Sequence, residues 1–348
     1  MPTLHINLAK IEHNTRLIAD MLRRHGVRLV GVTKACQGNE RVAGAMLAGG
    51  AAALADSRAT SIDNLRAHFP NAELELMRPV IEAGNLSAAA DIFFVSTEAQ
   101  ARTMMQLFPA RPIRFCLMVE AGDGREGAPL SVATREAACI ASLAGAELAG
   151  LATTLACVRP QAPLAGAMEA FSRAVAETDG LFEETDRASD SRAPLVSVGG
   201  SGLLALFDER GARPGLPGGR PSPLGTATEL RSGEAILLGS LPSDRDGLFL
   251  SGAHSDAFRI EAPVLEAFEA GGGIRAVAGI GIQDVGLGRI IPAGEGIEPV
   301  GITSDYLILQ CPAAAKEYCA AGASVSFIPT YYSLLAAMTS PYVEKIFH

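Results

Sequence analysis

The chain has 348 residues, more than one core usually holds, so two domains are the default, although a β/α barrel alone takes about 250. Hydrophobic residues make up 48% and charged ones 19%, aromatics are only 5% and Trp is absent, so the core is aliphatic and has ample material. A net charge of −9 with no Lys/Arg block excludes a nucleic-acid partner, and the uncharged stretch Val42 to Ala55 is too short and too rich in Gly and Ala to span a membrane.

From the amino terminus, Met1-Pro-Thr-Leu-His-Ile-Asn-Leu8 has neither a basic start nor an apolar h-region, which is expected of a chain that stays in the cytoplasm. A helix follows over Leu8 to His25, with Ile11, Leu17, Ile18, Met21 and Leu22 on one face and Gly26 closing it. Strand-like runs recur at Leu29 to Thr33, Ala52 to Ala55, Leu74 to Met77, Ile92 to Val95, Ile113 to Val119, Leu148 to Thr153, Leu195 to Val198 and around Leu230 to Leu238. Helical stretches at Glu40 to Leu47, Ser61 to Phe69, Thr97 to Phe108, Arg135 to Leu143 and Ala167 to Leu181 fill the gaps. Eight βα units predict a closed (β/α)8 TIM barrel with its chemistry at the carboxyl ends of the strands. Past Pro242 the pattern turns β-rich, over Ala257 to Leu265, Ile274 to Ile282, Val300 to Gln310 and Ser324 to Tyr332. The expected organisation is therefore a barrel over 8–242 and a C-terminal β domain over 243–348, joined by an N-terminal strand within 1–7. Glu183 to Arg192 and Arg210 to Pro223, rich in charge, Gly and Pro, read as surface loops.

The first predicted barrel strand, Arg28-Leu-Val-Gly-Val-Thr-Lys34, ends in a lysine that it delivers into a pocket. A desolvated ammonium loses its proton easily enough to attack a carbonyl and form a Schiff base, the chemistry of pyridoxal 5'-phosphate. The bland alternative is a lysine that snorkels to water. Two later motifs favour the site. Val196-Ser-Val-Gly-Gly-Ser-Gly202 follows a strand, and its small residues let backbone NH groups approach an anion while Ser201 adds a hydroxyl. Arg231-Ser-Gly-Glu-Ala-Ile-Leu-Leu-Gly239 places an arginine on the last strand just before a glycine, in the late βα loops where barrels hold phosphate.

With these segments, and with Leu4-His-Ile-Asn-Leu-Ala-Lys-Ile-Glu-His-Asn14, Gly122-Asp-Gly-Arg-Glu-Gly127, Gly281-Ile-Gln-Asp-Val285, Ser304-Asp-Tyr-Leu-Ile-Leu309 and Leu334 to Lys345, the chain resembles the fold-type III pyridoxal-phosphate enzymes related to alanine racemase, most closely the alanine/ornithine racemase-like family. The resemblance implies that Lys34 binds the coenzyme aldehyde and acts as the base on one face of the substrate Cα. It implies that Arg231 points at the pyridine nitrogen, where a permanently charged guanidinium leaves the ring a modest electron sink suited to proton transfer. Gly200, Ser201, Gly233, Glu234 through its backbone and Tyr331 match phosphate-binding positions. Arg125 matches the arginine that engages the substrate carboxylate, with a loop ion pair to Asp123 or Glu126 as the ordinary alternative. The resemblance also implies a homodimer in which the β domain of one subunit brings Asp284, Ser304 and Asp305 to the partner's coenzyme.

The departures from the family are informative. Where alanine racemases carry a catalytic tyrosine in a Gly-Tyr-x-Asp stretch, this chain has Gly281-Ile282-Gln283-Asp284. Asp284 is the candidate second base, and a turn former otherwise. Met118 stands where several alanine racemases carbamylate a lysine, and Thr154 where they stack a histidine on the coenzyme. Ile282 leaves room for a side chain longer than that of alanine, so ornithine or lysine is the expected substrate, its distal ammonium needing Asp284, Asp305 or Asp56 as partner. Asp56 and Arg78 end the second and third strands and are pocket candidates, with a helix start and a rim ion pair as their alternatives. His254 and Asp256 lack a third ligand, Cys36 reads as a small buried thiol, and the six cysteines show no metal or disulfide spacing. The expected function is racemisation of a free amino acid. A coenzyme-binding homeostasis or regulatory protein, or decarboxylation or aldol cleavage on the same fold, are the alternatives.

Overall fold

The computed structural model describes residues 1–78, 89–108, 112–158, 164–183, 194–207, 224–241 and 248–348. After β1 (Thr3–Ile6), the helix α1 (Leu8–Arg23) begins where the Asn7 side chain accepts a hydrogen bond from the Lys10 amide at 3.0 Å. It buries Ile11, Ile18 and Leu22, and a left-handed Gly26 (φ +71°) turns the chain into β2 (Arg28–Val32). There follow α2 (Glu40–Ala48), β3 (Ala53–Asp56), α3 (Ala59–His68), β4 (Glu73–Leu76), β5 (Ile92–Val95), α4 (Glu98–Leu107), β6 (Ile113–Glu120), the short β7 (Ala128–Pro129), α5 (Leu130–Ala141), β8 (Ala146–Thr154), α6 (Leu164–Glu183), β9 (Leu195–Gly199), β10 (Glu229–Ser232) and α7 (Glu234–Leu238). Parallel pairing runs β5-β4-β3-β2-β10-β9-β8-β6, and β5 also pairs with β6, so these eight strands close into a barrel.

Side-chain alternation sorts each strand between two environments. Leu29 of β2 and Phe115 and Leu117 of β6 belong to the large core packed under the helices. Val30 and Val32 instead meet Ala53 and Ala55, while Cys116 and Met118 meet Ile92, Phe94 and Ala152, forming two small apolar clusters that share Met77. Two positions beyond Val32 stands Lys34.

The second sheet is built from β11 (Phe258–Ala270), β12 (Gly273–Ala278), β13 (Ile290–Pro292), β14 (Glu298–Ile302), β15 (Leu307–Cys311), β16 (Ser324–Pro329) and β17 (Glu344–Phe347), with α8 (Ile282–Val285) and α9 (Tyr331–Thr339) between strands. Its antiparallel order is β13-β16-β11-β12-β15-β14. The amino-terminal β1 joins it, antiparallel to β11 and parallel to β17. Among the described residues no helix is long and apolar enough to cross a membrane.

Several elements differ from the sequence reading. The run Leu230 to Leu238 is a strand only to Ser232; Ala235 to Leu238, all buried, form a short helix, because a uniformly apolar stretch carries no period to tell strand from helix. Val300 to Gln310 is a hairpin, broken where the Thr303 hydroxyl accepts from the Tyr306 amide at 3.0 Å. The segments ending at Ile282 and Tyr332 give way to α8 and α9. The polar β17 carries too few apolar residues to read as a strand and exists by pairing with β1. Apart from Glu183, which ends α6, the two expected surface loops lie outside the described residues.

Candidate active site

Lys34 opens a single turn, Lys34–Cys36, at the carboxyl end of β2, inside the barrel mouth. The preceding Thr33 anchors this turn: its amide donates to the Ala55 carbonyl at 2.9 Å and its hydroxyl donates to Asp56 Oδ2 at 2.7 Å. Burial first, and the Arg125 guanidinium second, hold the Lys34 ammonium below its ordinary value, against the opposing pull of Cys157, Asp56 and Glu126. The structure therefore gathers Lys34, Arg125 and Asp56 around one point. Asp56 is fully buried, and burial raises its pKa against the hydrogen bonds it accepts from Thr33 and from the Arg58 amide.

Arg125 lies on the loop after β6. Its Nε and Nη2 are both hydrogen-bonded to the carboxylate of Glu126, its Nη1 contacts Cys157 Sγ at 3.0 Å, and its side chain is 32% exposed. Asp123, buried, pins the facing loop by accepting from the amides of Cys157 and Val158 at 3.0 Å each. The loop ion pair weighed from the sequence is thus present with Glu126, on an arginine that also faces Lys34. Cys157 carried no spacing signal of its own; loop geometry alone brings it to Arg125.

A second corner is made by the ends of β9 and β10. Gly200 (φ +132°) has no room for a side chain, since a Cβ there would lie 2.2 Å from the Leu155 carbonyl oxygen. A Cβ on Gly233 would come within 2.9 Å of the Val32 carbonyl oxygen. Ser201 and Ser232 share a 2.9 Å hydroxyl contact, and Ser201 Oγ accepts from the Ala235 amide at 3.2 Å. Tyr331 arrives from α9, which packs on the Lys34–Cys36 turn. Burial raises the pKa of the Tyr331 phenol, and Glu234, Cys36, Cys157 and Asp56 push it the same way. Gly200, Ser201, Gly233, Glu234 and Tyr331 thus border the lysine turn.

Arg231 lies below, 3% exposed. Its Nη1 donates to Ser197 Oγ and its Nη2 to the Thr153 carbonyl at 2.9 Å, while its Cζ sits 4.7 Å from the centre of the Phe94 ring. Gly199 makes this possible, because a Cβ there would meet Arg231 Nη2 at 2.8 Å. Thr154, half-buried, stands beside the same guanidinium, and the Thr153 hydroxyl is buried with no hydrogen-bond partner. Met118 is in the apolar interior.

Asp284, Ser304 and Asp305 form a separate group on the second sheet. Asp284 Oδ2 accepts from its own Gly281 amide at 2.8 Å, and its carboxyl is raised by burial and then by Asp305. Asp305 accepts from Gln283 Nε2 at 2.9 Å and from Ser304 Oγ at 2.7 Å. The other candidates have local roles. Asp256 pairs with Lys10, the His254 ring packs edge-on against His13, Arg78 is exposed, and burial pushes the Cys36 thiol up and leaves it inert. The described residues hold no group of His, Cys, Asp and Glu suited to a metal ion.

Residues 6–216 match the family model described as alanine racemase, N-terminal domain. The chain belongs to this family. It is 27% identical to a lysine racemase of Thermotoga maritima, over 99% of this chain and 98% of the relative, and 24% identical to an ornithine racemase of Acetoanaerobium sticklandii, over 99% of each. Among solved structures it shares its fold with alanine racemase from Corynebacterium glutamicum (TM-score 0.72, 22% identity, covering 100% and 99% of the two chains). D-threonine aldolase from Filomicrobium marinum is as similar in fold (TM-score 0.73, 18% identity, covering 97% and 89%). The full-length matches support an amino-acid racemase.

The depressed pKa of Lys34 has a consequence for stability. Between the folded value and the ordinary 10.5, the unfolded chain binds more protons than the folded one, so stability rises with pH across that window and the full cost is present below it. Lys34→Met is expected to raise the thermal midpoint of the coenzyme-free protein at neutral pH by about 2 °C. The difference should close as pH approaches 10.5 in a series of calorimetric scans; a lower midpoint for the variant, or a gap independent of pH, contradicts this reading of Lys34.

Proposed function

We propose that this protein is a pyridoxal 5'-phosphate-dependent racemase of a free amino acid with a basic side chain, ornithine or lysine, with Lys34 as one of its bases. The observation that carries the proposal is a half-buried Lys34 at the barrel mouth, its pKa lowered by burial and then by the Arg125 guanidinium, above Arg231 and a corner lined by glycines and hydroxyls. The full-length similarity to lysine and ornithine racemases supports the substrate class.

The residues fit the coenzyme. Arg231 would face the ring nitrogen, Thr154 the ring, and Gly200, Ser201, Gly233, the Glu234 amide and Tyr331 the phosphate, in a corner where the paired Ser201 and Ser232 hydroxyls lie beside two glycines packed too closely on backbone to carry a Cβ. When bound, pyridoxal phosphate withdraws electrons from the substrate Cα and makes its hydrogen acidic. Lys34 Nζ, its pKa lowered by burial and then by Arg125, would take or return that proton on one face. Arg125 holds the substrate carboxylate in place of its present partner Glu126. Asp56, already engaged by Thr33 and Arg58, supports the lysine turn rather than a substrate ammonium.

The opposite face of Cα needs a second proton carrier. Asp284 answers to Asp305 rather than to Lys34 within one subunit, so we assign Asp284, Ser304 and Asp305 to the active site of a partner copy in a homodimer. Exposed Leu287 (90%), Tyr332 (62%) and Ile282 (37%) near α8 and α9 supply apolar surface for that contact. Sedimentation should give twice the chain mass, and Asp284→Asn should leave coenzyme binding intact while lowering racemisation by about a hundredfold or more. A fully active monomer would rule out the shared site.

Borohydride reduction of the protein with its coenzyme, followed by peptide mapping, should place the pyridoxyl group on Lys34. In deuterated water a panel of L-amino acids should show α-deuteration together with the D-enantiomer for ornithine or lysine. Label on another lysine ends the assignment of Lys34, exchange with alanine alone overturns the basic substrate, and no exchange with any amino acid moves the function to coenzyme binding without catalysis.

A further inference from the structure

Beneath the mouth the barrel interior is not apolar. At the next inward layer Arg28 projects from β2, with its Nε 2.9 Å and its Nη2 2.7 Å from Glu229 Oε2. The same Nη2 reaches Glu73 Oε1 at 2.6 Å and lies 3.8 Å from Glu75 Oε1. Glu229 is fully buried, and its other oxygen, Oε1, accepts the hydrogen bond of the Ser197 hydroxyl. Ser197 Oγ in turn accepts from Arg231 Nη1. A continuous chain therefore runs from the half-buried Glu73 through Arg28, Glu229 and Ser197 to the guanidinium at the base of the site.

A hydroxyl has one proton to give. Glu229 accepts that proton, which leaves the lone pairs of Ser197 turned to Arg231. Of the carboxylates around Arg28, Glu75 cannot take this part. It is completely buried with no hydrogen bond to either oxygen, and burial, followed by the charge of Glu229, raises its pKa, while the Ser197 hydroxyl bonds to Glu229 instead. Glu229 is thus the carboxylate hydrogen-bonded on both sides. Among the described residues Ser197 alone holds Nη1; the Thr153 carbonyl holds Nη2, and Phe94 lies against the flat face.

We propose that Glu229 is a positioning residue for Arg231, acting through the Ser197 hydroxyl to fix the guanidinium in the plane in which it meets the coenzyme ring. This rests on the coenzyme reading given above. Glu229→Gln would let its amide oxygen stay with Arg28 and turn its NH2 group toward Ser197, so the hydroxyl loses its acceptor and the charge facing Arg231 is gone. Ser197→Ala removes the link itself, and Ser197→Thr keeps it.

The test compares the wild type with these three variants and the Glu229→Gln/Ser197→Ala double variant, each loaded with pyridoxal phosphate and without substrate. The readouts are the visible absorption spectrum and the coenzyme dissociation constant from fluorescence quenching. Both Glu229→Gln and Ser197→Ala should shift the absorption band and weaken coenzyme binding by about tenfold, as loss of a charge-assisted hydrogen bond would. The double variant should be no weaker than either single one, and Ser197→Thr should keep the wild-type spectrum. Fully additive losses would show that Glu229 acts independently of Ser197, and unchanged spectra and affinities would show that it does not position Arg231; either overturns the inference. Should Glu229→Gln fail to fold, Ser197→Ala against Ser197→Thr decides alone: an unperturbed alanine variant overturns it. A wild type with no visible absorption on titration would instead sink the coenzyme reading, a result distinct from these.

Discussion

Desolvation of one ammonium organises the site. Lys34 leaves β2 two positions after Val32, in step with the residues that face the barrel interior, so its side chain is carried into the mouth rather than out to the helices. Taking a lysine out of water costs several kcal/mol when nothing compensates, and the fold compensates only in part. Asp56 is close enough to favour the charged form but is itself occupied by Thr33, while Arg125 opposes it. The balance leaves an ammonium that gives up its proton more readily than a fully paired lysine would.

The interior is layered by polarity. Small aliphatic residues and Phe94 fill one tier, and the arginines and glutamates of β2, β4 and β10 fill the tier below. Buried charges survive there because they are paired: removing one partner of such a pair costs about 3–5 kcal/mol. Glu75, without a hydrogen bond, has its pKa raised by burial and then by Glu229, which favours its neutral form. The floor therefore gives Arg231 a rigid support from beneath, and the open loops above are left free to shape the substrate pocket.

The second sheet reaches the barrel through both chain ends. β1 and β17 lie side by side in it, and α9 then brings Tyr331 down onto the lysine turn. Ile282, which the sequence resemblance matches to the tyrosine of alanine racemases, is exposed at 37%, with Asp284 tucked behind it against the Gly281 amide. The aspartate is held by its own short helix, as a turn former is, and its raised pKa comes from burial and from Asp305.

The sequence alone determined the barrel and its site polarity. Short buried strands with a fixed alternation, a lysine ending the first of them, and glycines before Ser201 and after Arg231 are local signals, because backbone geometry limits which residues those positions accept. It also supplied both partners of the Arg125 ion pair, one residue apart. What it could not hold was any contact closed over long separations. Cys157 meets Arg125 across 32 positions, and Glu229 meets Arg28 across 201. The helix at Glu234–Leu238 and the strand β17 were decided the same way, by burial and by a pairing partner distant in the chain, whereas the hairpin at Thr303–Tyr306 turns on a hydrogen bond only three positions long. A side chain's charge state depends on how much water and which charges surround it, and that is set only when the barrel closes: Glu75 is an ordinary residue in the sequence and an unusual one in the fold.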